Sequence, residues 1–192
     1  MKPSTSAAAH VIIMVGIPGA GKTTFAEHFA DTFKAPYINP SDISDKVGID
    51  ADTTEKVTQL LFGELLKTGR TLVYEGSTFT KDQRTAIAKF ITKAGYKPLI
   101  VWVQTEPVEA KRRAASSKKK GGTMSAAEFK QAFTRFEPPT ANEKPVVISG
   151  KHTYGTQTKS VLKRLAGITP DTLTPKPEQP KVQRSGRNII IR

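Results

Sequence analysis

Gly16-Ile17-Pro18-Gly19-Ala20-Gly21-Lys22-Thr23-Thr24 fits the pattern G-x-x-x-x-G-K-[ST] at every fixed position. The apolar run Val11-Ile12-Ile13-Met14-Val15 precedes it, and Thr24-Phe25-Ala26-Glu27-His28-Phe29-Ala30, with helical spacing, follows. Strand, glycine turn and helix in that order form the context in which such a loop holds phosphate. Glycine at 16, 19 and 21 lets successive N–H groups converge on phosphate oxygens at the positive end of the helix dipole. Pro18, Ala20 and Thr24 complete the expected cradle. Lys22 is expected to reach the β- and γ-phosphates, and the Thr23 hydroxyl to ligate a Mg²⁺ that bridges them, so ATP and Mg²⁺ are the expected cofactors.

Working outward, Ala35 to Asn39 reads as a second strand, ended by Pro40-Ser41-Asp42. Carboxyl ends of strands line the ligand crevice of an open α/β sheet, which puts Asp42 where an acceptor would sit and makes it the expected general base. A helix cap or turn is the other use of such an Asp, and Asp45 is the alternative base. Thr53 to Lys67 has helical spacing, and Thr71 to Tyr74 is a third strand running into Glu75-Gly76-Ser77-Thr78. Glu75 stands where a second acidic group would hold Mg²⁺ through water, or would position a loop.

A helix opens at Lys81, with Ala86, Ile87, Phe90 and Ile91 on one face, and Leu99 to Val103 is a wholly apolar fourth strand. Continuous apolarity argues for a parallel sheet covered on both faces. Residues 107–122 begin as a helix bearing Arg112 and Arg113 and end in the basic, glycine-closed Lys118-Lys119-Lys120-Gly121-Gly122, the position of a mobile lid. Arginines there would stabilise charge spreading over a transferred phosphoryl group. Ser125-Ala126-Ala127-Glu128 predicts a capped helix, Val146 to Ile148 a fifth strand, and Thr158 to Leu165 a last helix with Val161, Leu162 and Leu165 inward. The pattern predicts an α/β fold: a P-loop NTPase three-layer sandwich on a central, mostly parallel five-stranded sheet, with a lid.

The 192 residues suit one domain over 11–167, between a flexible leader (1–10) and a proline-rich basic tail (168–192). Apolar runs are far short of the roughly 20 residues that cross a bilayer, and the first ten residues lack a signal-peptide core, so a cytoplasmic protein with no membrane partner is expected. There is no cysteine, and His10, His28 and His152 share no metal-ligand spacing. A net charge of +13 favours a polyanionic partner, nucleic acid above all.

The phosphate loop, the Asp after strand two, the Arg pair after strand four and Phe136-Glu137-Pro138-Pro139-Thr140-Ala141-Asn142-Glu143 together resemble the kinase domain of polynucleotide 5′-kinases over roughly residues 11–150. The resemblance implies transfer of the ATP γ-phosphate to a nucleic-acid 5′-hydroxyl, with Asp42 as base, Lys22 and Thr23 at the donor phosphates, and Arg113 or Arg112 in the lid. Zeta-toxin-like and chloramphenicol phosphotransferase-like proteins share a similar core, which leaves small-molecule phosphorylation as an alternative. An ATP-dependent nucleic-acid-binding switch without an acceptor is a third reading.

Overall fold

The computed structural model describes residues 9–116 and 123–167. Most of the expected leader, the stretch Lys118 to Lys120 and the tail from 168 on lie outside the described residues. A five-stranded, wholly parallel sheet has the strand order β2-β3-β1-β4-β5. Its strands are β1 (His10–Val15), β2 (Tyr37–Ile38), β3 (Leu72–Tyr74), β4 (Lys97–Gln104) and β5 (Val146–Ser149). His10, assigned to the leader from sequence, is the first residue of β1, where its backbone N–H donates to Thr71 Oγ1 at 3.2 Å.

Central β1 is buried on both faces, which is why its sequence is apolar without alternation. Ile12 and Met14 pack with Val101, Val103, Phe25, Phe29 and Val161 on one side. Val11, Ile13 and Val15 pack with Leu72, Ile100, Phe62 and Ile91 on the other. The helices are α1 (Lys22–Phe33), α2 (Pro40–Val47), α3 (Ala51–Leu66), α4 (Lys81–Lys93), α5 (Pro107–Ala115), α6 (Ala126–Arg135) and α7 (Tyr154–Leu165).

Three local differences from the sequence reading follow from capping. Pro40 starts a helix rather than ending a strand: the Asn39 side chain accepts from the Ser41 N–H, and Pro at the first helical position lacks only an N–H that would have no partner. Asp50 caps α3 by accepting from Thr53 N–H, and Thr153 starts α7 four residues earlier than expected. Leu162, expected inward, is 38% exposed. The capping box at Ser125 and Glu128 forms as expected, each side chain accepting from the other's backbone N–H.

Arg84 is the departure with the longest reach. It lies in the first turn of α4 among Asp82, Gln83 and Thr85, yet is 1% exposed and bonded on every side. Its guanidinium donates to both Glu143 oxygens, at 2.6 and 3.2 Å, and to the carbonyls of Thr78, Phe79 and Glu137 at 3.2, 3.3 and 2.8 Å. It therefore ties the turn after β3 to the segment 137–143. The Phe136–Glu143 element is thus a structural staple, whose last residue also accepts from the Thr140 N–H.

Candidate active site

The loop between β1 and α1 is shaped by what surrounds it. Gly19, at φ 73°, sits so close to α5 that a Cβ would collide with the Ala110 carbonyl. Gly16, at φ 151°, leaves a Cβ no room beside the Val103 carbonyl. Both glycines are therefore needed for packing as well as for turning. Ala20 is buried, Pro18, Gly21, Lys22 and Thr23 are half-buried, and Thr24 is exposed on the first turn of α1. Lys22 Nζ folds over the loop and donates to the carbonyls of Gly16 (3.0 Å) and Ile17 (3.2 Å), using donors that phosphate oxygens would take. Burial pushes its ammonium pKa down, and the Glu75 carboxylate pulls it part of the way back.

Glu75, at the carboxyl end of β3, is 9% exposed. Parallel pairing of β3 beside β1 carries it to the loop, where Thr23 Oγ1 donates to its Oε1 at 2.9 Å. Tyr37 on β2 donates its phenol to the other oxygen at 2.8 Å, and Asn39 Nδ2 donates to that phenol at 3.0 Å. Burial and the neighbouring carboxylate raise the Tyr37 pKa, so the phenol stays a donor. Neither Tyr37 nor Asn39 was singled out from sequence, and no spacing rule joins 23, 37 and 75. A hydroxyl and a carboxylate 2.9 Å apart offer the hard oxygen donors that suit Mg²⁺, an ion that keeps most of its own waters. Among the described residues no group of three or more His, Cys, Asp or Glu forms an all-protein cage.

Asp42 does not join this network. It lies on the flank of α2, 47% exposed and 2.6 Å from Lys46. Ser41, Ser44 and Asp45, one helical face, line the neighbouring cleft instead. That cleft, about 1400 Å³, is enclosed by α2, α3 and α4 over the ends of β2 and β3. Ala86, Ile87 and Phe90, expected on one helix face, line it as well, which explains the 46% exposure of Phe90. A second cavity, about 800 Å³, opens beyond Ile17 between the ends of β4 and β5, with Thr105, Glu106, Lys151 and His152 on its walls.

Arg112 and Arg113 share one carboxylate on their own helix. Arg112 is 69% exposed and donates to both Glu109 oxygens at 2.9 and 2.8 Å. Arg113, half as exposed, donates to Glu109 at 2.7 Å and to the Gly150 carbonyl at 2.9 Å, which turns it toward the phosphate loop. There Thr105 Oγ1 donates to the Ala20 carbonyl at 2.9 Å. The hydrogen bonds from Arg112 and Arg113 bring the exposed Glu109 carboxyl down to about 2.

A glycine loop leading from a central parallel strand into a helix, with its Lys and Thr facing a carboxylate on the adjacent strand, defines a nucleotide-binding P-loop protein. Residues 11–139 match the AAA domain family, to which the chain therefore belongs. No curated protein matches the sequence. Among solved structures, Kti12 of Chaetomium thermophilum in complex with ADP-AlF3 superposes with a TM-score of 0.65 at 13% identity, over 83% of this chain and 99% of its own. A gluconokinase from Sinorhizobium meliloti 1021 gives 0.58 at 17% identity, over 86% and 95%. The Pnkp1/Rnl/Hen1 RNA repair complex gives 0.57 at 19% identity, over 70% of this chain and 46% of the matched one. Such identities establish likeness of fold, and the fold is that of P-loop kinases. No helix among the described residues is long and apolar enough to cross a membrane.

Proposed function

We propose that the protein is an ATP-dependent kinase that moves the γ-phosphoryl group to a hydroxyl acceptor. The Thr23–Glu75 hydrogen bond carries the reading: it fixes the loop hydroxyl against a buried carboxylate, with one cavity beside Ile17 and another between α2, α3 and α4. The nucleoside would occupy the cavity between β4 and β5, and the acceptor the cleft beside α2. Mg²⁺, held by Thr23 directly and by Glu75 through water, would supply charge neutralisation at the β- and γ-oxygens.

Phosphoryl transfer depends chiefly on positioning and electrostatics. As the acceptor oxygen bonds to the γ-phosphorus, the bond to the β–γ bridging oxygen breaks and its electron pair leaves with ADP. The acceptor proton passes to Asp45, the α2 carboxylate that faces the cleft. Lys22 exchanges its loop carbonyls for phosphate oxygens, and Arg113 turns from Gly150 toward the departing charge. Labelling from γ-labelled ATP into a panel of hydroxyl compounds tests the proposal. Lys22→Ala should abolish label transfer without altering the circular dichroism spectrum; unchanged transfer would remove the donor site.

Two acceptor classes have support. A polynucleotide 5′-hydroxyl is favoured by the net charge of +13 and by likeness to a chain of an RNA repair complex. A small molecule is favoured by the cleft between α2, α3 and α4 and by likeness to a gluconokinase.

A further inference from the structure

Charge on α2 and α3, two of the three helices that wall the acceptor cleft, is distributed unevenly. Both of their lysines are engaged on the outer flank, Lys46 with Asp42 and Lys56 with Asp52, each at 2.6 Å. The carboxylates that face the cleft are Asp45 and Glu55, and among the described residues no Lys lines it. Neither of these carboxylates has a salt-bridge partner among the described residues. Glu55 accepts one hydrogen bond, from Gln59 Nε2 at 3.1 Å, and its charge acts across the cleft on the Tyr74 phenol.

Aromatic rings line the same cleft. Phe62 and Tyr74 stack with ring centroids 5.2 Å apart and planes 4° from parallel, and Phe90 leans on Phe62 at 5.6 Å. Thr58, one turn from Phe62 and 6% exposed, also lines the cleft, and its hydroxyl has no hydrogen-bond partner. An unpaired buried hydroxyl is costly unless something meets it. The cleft thus presents the exposed ring of Phe90 beside the buried Phe62–Tyr74 stack, with a buried hydroxyl in its wall that has no partner among the described residues, and two negative charges.

We infer, resting on the kinase reading above, that the acceptor is a compact hydroxyl compound without negative charge. Its ring or aliphatic body lies against Phe90, and its hydroxyl or amine groups face Asp45 and Glu55. A phosphodiester in that cleft would meet two carboxylates and no lysine, and an acid such as gluconate would be repelled in the same way. The transferred group bonds to an acceptor hydroxyl oxygen, whose proton goes to Asp45 while ADP leaves with the broken bond's electrons.

The experiment compares label transfer from γ-labelled ATP to four acceptor sets: uncharged cyclic polyols, ring-bearing amino alcohols, gluconate, and a 5′-hydroxyl oligonucleotide. Transfer is expected to the first two sets and not to the last two. Glu55→Lys should raise the KM of an amine-bearing acceptor by about tenfold or more, and Glu55→Gln by less, with the KM for ATP unchanged. Label entering gluconate or the oligonucleotide as readily as the uncharged and cationic alcohols overturns the inference, as does failure of every member of those two sets. An unchanged acceptor KM in Glu55→Lys also overturns it. The kinase reading fails separately, if wild type and Lys22→Ala turn over ATP at the same rate.

Discussion

Replacing Glu75 by Gln perturbs the junction between donor and acceptor sides. The carboxylate accepts from Thr23 at 2.9 Å and from Tyr37 at 2.8 Å. Hydrogen bonds to a charged group are each worth about 1.5–3 kcal/mol. A glutamine offers one carbonyl oxygen and one amide nitrogen, so only one of the two hydroxyls keeps an acceptor. Losing the other bond corresponds to roughly ten- to 150-fold, at about 1.4 kcal/mol per factor of ten. The Mg²⁺ concentration for half-maximal turnover should therefore rise about 10–100-fold, the usual effect of losing a group behind a metal ligand. A second effect has a definite sign. Burial lowers the Lys22 pKa and Glu75 opposes that fall, so a neutral glutamine lets it drop further. Turnover that needs the ammonium should then be lost at a lower pH as pH rises. The assay is ATP turnover titrated with Mg²⁺, followed by a pH profile at saturating Mg²⁺. A wild-type Mg²⁺ requirement together with an unmoved alkaline limb would refute the reasoning.

Asp45→Asn should lower transfer by about 10²–10⁴, whereas Asp42→Asn loses only the exposed pair with Lys46 and should stay within about twofold; equal losses in single-turnover assays would reverse the assignment. Arg113→Ala should reduce kcat more than it raises the KM for ATP, and more than Arg112→Ala does, because Arg113 alone is turned toward the loop; steady-state kinetics on both variants decides this. Arg84→Met leaves the Glu143 carboxylate without its cation and removes a donor from the Thr78 and Glu137 carbonyls, and should cost about 3–5 kcal/mol in urea unfolding, a loss under 1 kcal/mol meaning that the staple relaxes freely. Burial raises the Glu143 pKa, but hydrogen bonds from Arg84 and Thr140 outweigh it and leave a net fall. Its contribution is therefore present above the ordinary carboxylate range and lost as pH drops through the lower folded value, an acid limb that Arg84→Met should flatten.

The loop from Gly16 to Thr24, the helix behind it and the parallel sheet are written in short-range patterns: glycine spacing, periodicity of 3.6, and apolar runs without alternation. These patterns depend on residues a few positions apart, so sequence alone determined the fold class and the position of the glycine loop within it. The position of Asp42 was legible only as a neighbourhood. Once Asn39 and Pro40 start a helix, each residue turns about 100° from the last, and Asp45 faces the cleft in place of Asp42.

What the tertiary structure decided is which distant residues meet. Thr23, Tyr37 and Glu75 converge because β3 lies between β1 and β2, an order that no local pattern states. Arg84 had the sequence setting of a solvated helix charge and became one of the most buried side chains, because Glu143 and three carbonyls surround it. The same folding sets the lysines of α2 and α3 on one flank and their unpaired carboxylates on the other. A chain whose overall charge is +13 therefore has a cleft lined by Asp45 and Glu55. Net charge is a sum over residues, whereas the field inside a cleft depends on the direction in which each side chain is held.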